Sequence, residues 1–62
     1  MNQYSCYLFS DDNHVTVKEI TADFDVKAVF LARSAATEAG YRRFELRHQQ
    51  RVVRREGWYS AA

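Results

Sequence analysis

Residues 23–40 read DFDVKAVFLARSAATEAG, and they decide the fold because they form the segment with helical periodicity. Either Asp23 or Asp25 can serve as the N-cap, and Gly40 supplies the left-handed residue that commonly ends a helix. The polar side chains fall on a narrow strip, and the apolar arc opposite consists of Val29, Ala32 and Ala36, flanked by Phe30 and Leu31. The segment therefore predicts an amphipathic helix whose alanines allow close approach to a sheet.

The residues before this helix predict a β-hairpin. Residues 4–9, YSCYLF, are aromatic and apolar, residues 15–20, VTVKEI, alternate, and the connecting SDDN favours a turn. A two-residue turn at Asp12 and Asn13 pairs Leu8 with Val17. This register places Leu8, Val15 and Val17 under the helix and leaves Tyr7, Phe9 and Ile20 on the opposite side of the sheet, called the outer face below.

The residues after the helix predict a second hairpin, formed by YRRFELRH and RVVRREG around a turn at Gln49 and Gln50. With position 48 opposite position 51, Glu45 lies opposite Arg54 and Arg43 lies opposite Glu56. Both pairs join opposite charges across the strands on the outer face. The same register turns Phe44, Leu46 and Val53 toward the helix.

Together these segments predict an α+β fold with the layout ββαββ. A right-handed crossover that skips the first strand gives a four-stranded antiparallel sheet of order 2-1-3-4, with one helix packed on one face. The chain contains no proline to mark a linker. We therefore expect residues 1–57 to form a single domain and residues 58–62 to form a C-terminal tail.

The pairing of YSCYLFSDDNHV with AVFLARSAATEAGYRRFEL resembles short bacterial proteins of unknown function that share a ββαββ layout. In those proteins an alanine-rich helix is followed by an F-E-L strand. The similarity spans about residues 4–56 and rests on patterning. It implies the same fold and carries over no functional residue.

Size and composition limit the function classes. At 62 residues the chain lies near the lower limit for a domain without metals or disulfides, so self-association is expected. The single Cys6 cannot form an internal disulfide, which fits a reducing compartment. No apolar run approaches the ~18 residues that span a bilayer, and the polar start MNQ is not typical of a signal peptide. We expect a cytoplasmic protein that does not contact a membrane.

The net charge of +1 conceals an uneven distribution. Residues 1–40 hold three basic and six acidic side chains, whereas residues 41–62 hold six arginines and two glutamates. On the outer face Tyr7 and Phe9 should neighbour Arg43 and Arg47, and aromatic side chains beside arginines stack bases and hold phosphates in several RNA-binding folds. The candidate residues for binding a partner or nucleic acid are therefore Tyr7, Phe9, Arg43, Arg47 and Arg54.

Other chemistry has weaker support. Asp11, Asp12 and His14 offer metal ligands, but a hairpin turn explains these residue types completely. Cys6, in a strand beside Leu8, is typical of a small buried hydrophobic residue rather than a nucleophile. We interpret the chain as a non-enzyme without catalytic, cofactor or metal residues.

Two functional hypotheses follow. The first is an interaction module, a homodimer whose interface includes the outer face, because one helix covers only one side of a four-stranded sheet. The alternative is that the tail with Trp58 and Tyr59 folds back over its own sheet, in which case a monomer suffices. The dimer is favoured over that alternative because five residues after Gly57 give the tail little to anchor it. The second is a nucleic-acid-binding module that uses the arginine-rich hairpin. The first is favoured because the first half of the chain is acidic and the total charge is nearly neutral.

Overall fold

The computed structural model describes residues 1–58 and confirms the predicted fold. Four antiparallel strands form one sheet of order β2-β1-β3-β4, and the helix packs on one face of it. The elements, in chain order, are β1 (Asn2–Phe9), β2 (Val15–Ala22), α1 (Asp25–Ala39), β3 (Arg43–His48) and β4 (Arg51–Glu56). Within the predicted tail, residues 59–62 lie outside the described residues.

Helix α1 ends as predicted but begins differently. Gly40 adopts a left-handed conformation at φ 82°, and the Tyr41 N–H donates to the Ala36 carbonyl at 2.8 Å. At the other end the N-cap is Phe24, which makes no side-chain capping hydrogen bond, so the prediction of an aspartate cap is wrong. Asp25 instead opens the first turn, where its charge favours the helix dipole.

Asp25 joins the helix to the sheet. Its carboxylate accepts a hydrogen bond from the Tyr4 hydroxyl at 2.7 Å and lies 3.2 Å from the Arg51 guanidinium. The Tyr4 hydrogen bond is the largest cause that lowers the pKa of Asp25, and the same contact raises the pKa of Tyr4. The first turn of α1 is thus tied to β1 and to β4.

The core lies between α1 and the inner face of the sheet, meaning the face that α1 covers. The helix contributes three alanines spaced four residues apart, so its buried stripe includes Ala28 in addition to the predicted Ala32 and Ala36. Val29 is only partly buried. The buried residues are Tyr4, Cys6, Leu8, Ile20, Ala22, Ala28, Ala32, Ala36, Phe44 and Leu46.

The first hairpin differs from the predicted register by one residue. Leu8 pairs with Thr16 rather than with Val17. The connection is a three-residue loop between Ser10 and His14, whose backbones bond at 2.9 Å, and Asn13 takes the left-handed conformation at φ 69° that such loops require.

This shift inverts the faces of β2, because neighbouring strand residues point to opposite sides. Val15 and Val17, predicted to lie under the helix, lie on the outer face opposite Phe9 and Tyr7. Ile20, predicted on the outer face, is buried on the inner face with Ala22. The placement of these three predicted residues is therefore wrong.

The predicted register of the second hairpin is correct at its tip and differs from the structure by one residue beyond it. His48 pairs with Arg51 as predicted, but a β-bulge at Val53 leaves that residue without a partner across the strands. Glu45 therefore pairs with Arg55, not with Arg54, and the predicted pairing of Arg43 with Glu56 is replaced by Phe44 with Glu56. Phe44 and Leu46 are buried and Val53 packs against the core, as predicted.

Within residues 1–58, α1 is too short and too polar to cross a membrane.

Candidate interaction surface on the outer face

An apolar cluster occupies one end of the outer face. Tyr7 and Phe9 on β1 lie directly opposite Val17 and Val15 on β2. Val15 is 49% exposed and Val17 is 54% exposed, whereas the two aromatic residues are partly buried. Cross-strand pairs of aromatic and β-branched side chains stabilise a sheet, yet much of this cluster remains in contact with water.

Trp58 completes the cluster by folding back from the end of β4. Gly57 has φ 87°, and a Cβ built there would lie 1.9 Å from the Arg42 carbonyl oxygen, so glycine is required for this turn. The Trp58 ring then meets the Phe9 ring edge-on, with centroids 5.0 Å apart. We call the set Tyr7, Phe9, Val15, Val17 and Trp58 the aromatic–valine patch.

Three arginines border the aromatic–valine patch. The Arg55 guanidinium lies 4.4 Å from the centre of the Trp58 ring, and Arg43 lies 6.0 Å from the same ring. Arg47 lies 5.8 Å from the centre of the Tyr7 ring. These are cation–π distances, so the guanidiniums extend the apolar surface while their stems cover part of it.

Glu45 lies among these arginines and changes the electrostatics of the surface. Its carboxylate accepts a hydrogen bond from Arg47 and lies 3.1 Å from the Arg55 guanidinium, and its side chain is only 13% exposed. Arg43 donates to the Ser10 carbonyl at 2.7 Å. The three arginines are therefore fixed by contacts within the chain, and their charge is partly neutralised.

The structure brings together four of the five predicted site residues, namely Tyr7, Phe9, Arg43 and Arg47. Arg54 does not join them. Because of the bulge it pairs with Leu46 and projects on the inner side of the sheet, where it bonds Glu56 at 2.9 Å. Arg55 takes the place on the outer face that was predicted for Arg54.

Sequence reasoning missed Val15, Val17 and Arg55 as members of this surface. The sequence signals for their positions are weak. Val15 and Val17 depend on which loop residue is left-handed, and Asn13 is one of several turn-forming residues there. Arg55 depends on the bulge at Val53, which no glycine marks. Trp58 packs on Phe9 of its own sheet, which is the alternative that ranked below a dimer on sequence grounds, and Gly57 immediately before it is the signal for that turn.

The loop of the first hairpin is held by its own hydrogen bonds. The Ser10 hydroxyl donates to Asp12, which lowers the pKa of that carboxyl, and the His14 ring lies 3.2 Å from the same side chain. In the part of the chain that the structure describes, no group of three His, Cys, Asp or Glu side chains could hold a metal ion. Burial raises the pKa of the Cys6 thiol to about 11, so this group is protonated at neutral pH.

Comparisons with models of protein families, with curated proteins and with solved structures find no match to this chain. The resemblance to short bacterial ββαββ proteins stays a prediction.

Proposed function

We propose that this chain is a small non-enzymatic interaction module that forms a homodimer through its outer face. The observation that carries the proposal is the exposure of Val15 and Val17 beside Tyr7, Phe9 and Trp58. Contiguous apolar side chains on a small sheet are unfavourable in water, and their burial drives association. Trp58 covers part of Phe9 but leaves both valines about half exposed.

A second copy of the chain suits this surface in size. The two longer dimensions of the molecule are 33 and 27 Å. A sheet face within these limits approaches the ~800 Å² per partner that a stable interface buries. A two-fold axis through the aromatic–valine patch would bury the apolar side chains of one copy against the same side chains of the other.

The charge of the chain as a whole favours a protein partner over nucleic acid, because the net charge is only +1 and residues 1–40 carry six acidic against three basic side chains. On the outer face Arg47 and Arg55 contact the Glu45 carboxylate, and Arg43 donates to the Ser10 carbonyl. Nucleic-acid binding is therefore the second hypothesis, and the experiments below distinguish it from dimerisation.

We place the module in the cytoplasm as part of the same proposal. The support is that Cys6, the single cysteine of the chain, is a free thiol in the core. Small secreted domains commonly depend on disulfides.

The test is the mass in solution from micromolar to near-millimolar concentration, measured by sedimentation or light scattering. We expect the mass to rise from 7.3 kDa toward twice that value. Val17→Glu should remove this rise, whereas the matched variant Val26→Glu, on an exposed valine of α1, should retain it.

Monomer mass throughout, or equal effects of the two variants, would reject the outer face as a dimer interface. An electrophoretic shift of RNA or DNA that persists at moderate salt and is lost in Arg47→Gln would favour the second hypothesis instead.

A further inference from the structure

A second apolar surface lies on the side of α1 that faces β4. Val26 and Phe30 stand one turn apart on the helix and are 76% and 63% exposed. Val29, partly buried, packs against the core beside them. These positions lie far from the aromatic–valine patch, on the opposite side of the sheet.

The helix and strand β4 form a groove at this place. Its walls are Val26, Val29, Phe30, Arg33 and Arg54, and its volume is about 340 Å³. Arg54 reaches the groove because the bulge at Val53 turns it to the inner side of the sheet. The floor is apolar and one end carries two guanidiniums.

The charges at that end are not balanced. Arg33 and Arg54 both bond the carboxylate of Glu56, so two guanidiniums share one carboxylate. The Arg33 hydrogen bond is the largest cause that lowers the pKa of Glu56, which keeps this carboxylate ionised. The end of the groove therefore carries an excess positive charge that an additional acidic group can bind.

The backbone beside the groove is also able to bind. Strand β4 is an edge of the sheet and pairs with β3 on one side. Its other side presents backbone N–H and C=O groups, and on each side of the bulge at Val53 these groups can pair with an extended segment, as in recognition by strand addition.

We propose that this groove binds an extended, acidic segment of a partner protein, which lies along β4. In an extended chain, residues two apart point to the same side and are separated by about 7 Å. A large apolar side chain of the partner would enter between Val26 and Phe30. A carboxylate two residues away would meet Arg33 and Arg54.

The probe is a synthetic octapeptide of serine and threonine that contains a leucine followed two residues later by a glutamate. It is titrated into the ¹⁵N-labelled protein while amide resonances are followed by NMR. We expect saturable shifts confined to α1 residues 26–33 and to β4, with a dissociation constant on the order of 0.1–1 mM. Peptides in which lysine replaces the glutamate, or serine replaces the leucine, should bind at least about tenfold more weakly.

Variants of the protein locate the site. Val26→Glu and Phe30→Ser change exposed side chains, so both should retain the fold and weaken binding about tenfold. Arg54→Gln should weaken it roughly threefold, since it removes one exposed charge. Val17→Glu, on the outer face, should bind the peptide as the parent does.

The proposal is overturned if the lysine peptide binds equally well, if the shifts centre on another surface, or if no shift occurs at millimolar peptide. Val17→Glu is the test variant for dimerisation and the control for peptide binding, whereas Val26→Glu has the opposite roles. A failure to bind the peptide therefore leaves the homodimer proposal standing, and a monomeric mass leaves the groove proposal standing.

Discussion

The two faces of the sheet differ in composition although the same strands build both. The inner face of β1 presents Tyr4, Cys6 and Leu8, all buried, to the side of the sheet that α1 covers. The outer face of β1 presents Tyr7 and Phe9 beside arginines and Glu45. From Cys6 to Phe9, strand β1 is thus apolar on both sides, which is typical of a strand covered on both faces, yet one helix covers only one of them.

This difference separates the packing of the core from the proposed dimer interface. The inner face supplies the free energy of folding through close packing, and it contains no buried charge among the described residues. The outer face combines apolar, aromatic and charged groups, and the proposed homodimer interface rests on this mixture. Substitutions on the two faces should therefore have different consequences.

The largest expected effect is on the inner face. Phe44→Ala should lower the free energy of unfolding by about 2–5 kcal/mol, because it leaves a cavity in a fully packed core. The outer-face variant Val17→Ala should cost less than about 1 kcal/mol, since that side chain is already half exposed. Urea denaturation measures both. Equal losses would show that the two faces do not differ in this way.

A second effect concerns the reactivity of the inner face. Because the Cys6 side chain is fully buried and its pKa is raised to about 11, the thiol should react with a disulfide reagent at neutral pH at least about a hundredfold more slowly in the folded protein than in urea. The rate of colour release measures this. Rapid labelling of the folded chain would mean that the core opens readily.

A smaller effect tests the turn at Gly57 that packs Trp58 against Phe9 on the outer face. Gly57→Ala should displace Trp58 from Phe9, because the added Cβ meets the Arg42 carbonyl, and the emission of the single tryptophan should shift to longer wavelength. Gly40→Ala is the matched control, since Gly40 also has positive φ but has open space around its Cβ position. The control should cost about 1 kcal/mol of stability and leave the emission unchanged. The same emission shift in both variants would contradict a specific role of Gly57.

The smallest effect is a dependence of stability on pH. Contacts with Arg33 and Tyr4 lower the pKa values of Glu56 and Asp25 in the folded state. A lowered pKa stabilises the fold above the ordinary carboxyl pKa near ~4, and this stabilisation is lost as pH falls through the folded-state value. Melting temperature should therefore decline below about pH 4.5.

Glu56→Gln should flatten part of that decline, whereas Glu19→Gln, at an exposed position, should leave it unchanged. An identical pH profile for the parent and Glu56→Gln would show that the ion pair at the groove does not contribute to stability.

The sequence was sufficient for the elements and their order, because helical periodicity, strand alternation and Gly40 are local signals. It was insufficient for the strand registers. The left-handed Asn13 and the bulge at Val53 each shift pairing by one residue, and each shift moves side chains to the opposite face. Four of the five predicted site residues still converge, since β1 and β3 pair as expected.

The exchange of Arg54 for Arg55 on the outer face shows why such shifts matter for function. Both residues have the same side chain, and composition cannot distinguish them. Their positions are decided by where Val53 finds apolar contacts, which is a property of the whole core rather than of the hairpin.

The bulge also has a consequence for how this chain can change in evolution. Because Val53 has no partner across the strands, a variant that lacks it can keep Arg47 with Val52 and Leu46 with Arg54, and both faces keep their remaining side chains. Since Val52 and Val53 are identical neighbours, loss of either codon gives the same protein. This valine pair is therefore where a single-codon deletion in β4 best preserves the sheet, and an alignment gap between diverged descendants of this gene should fall there.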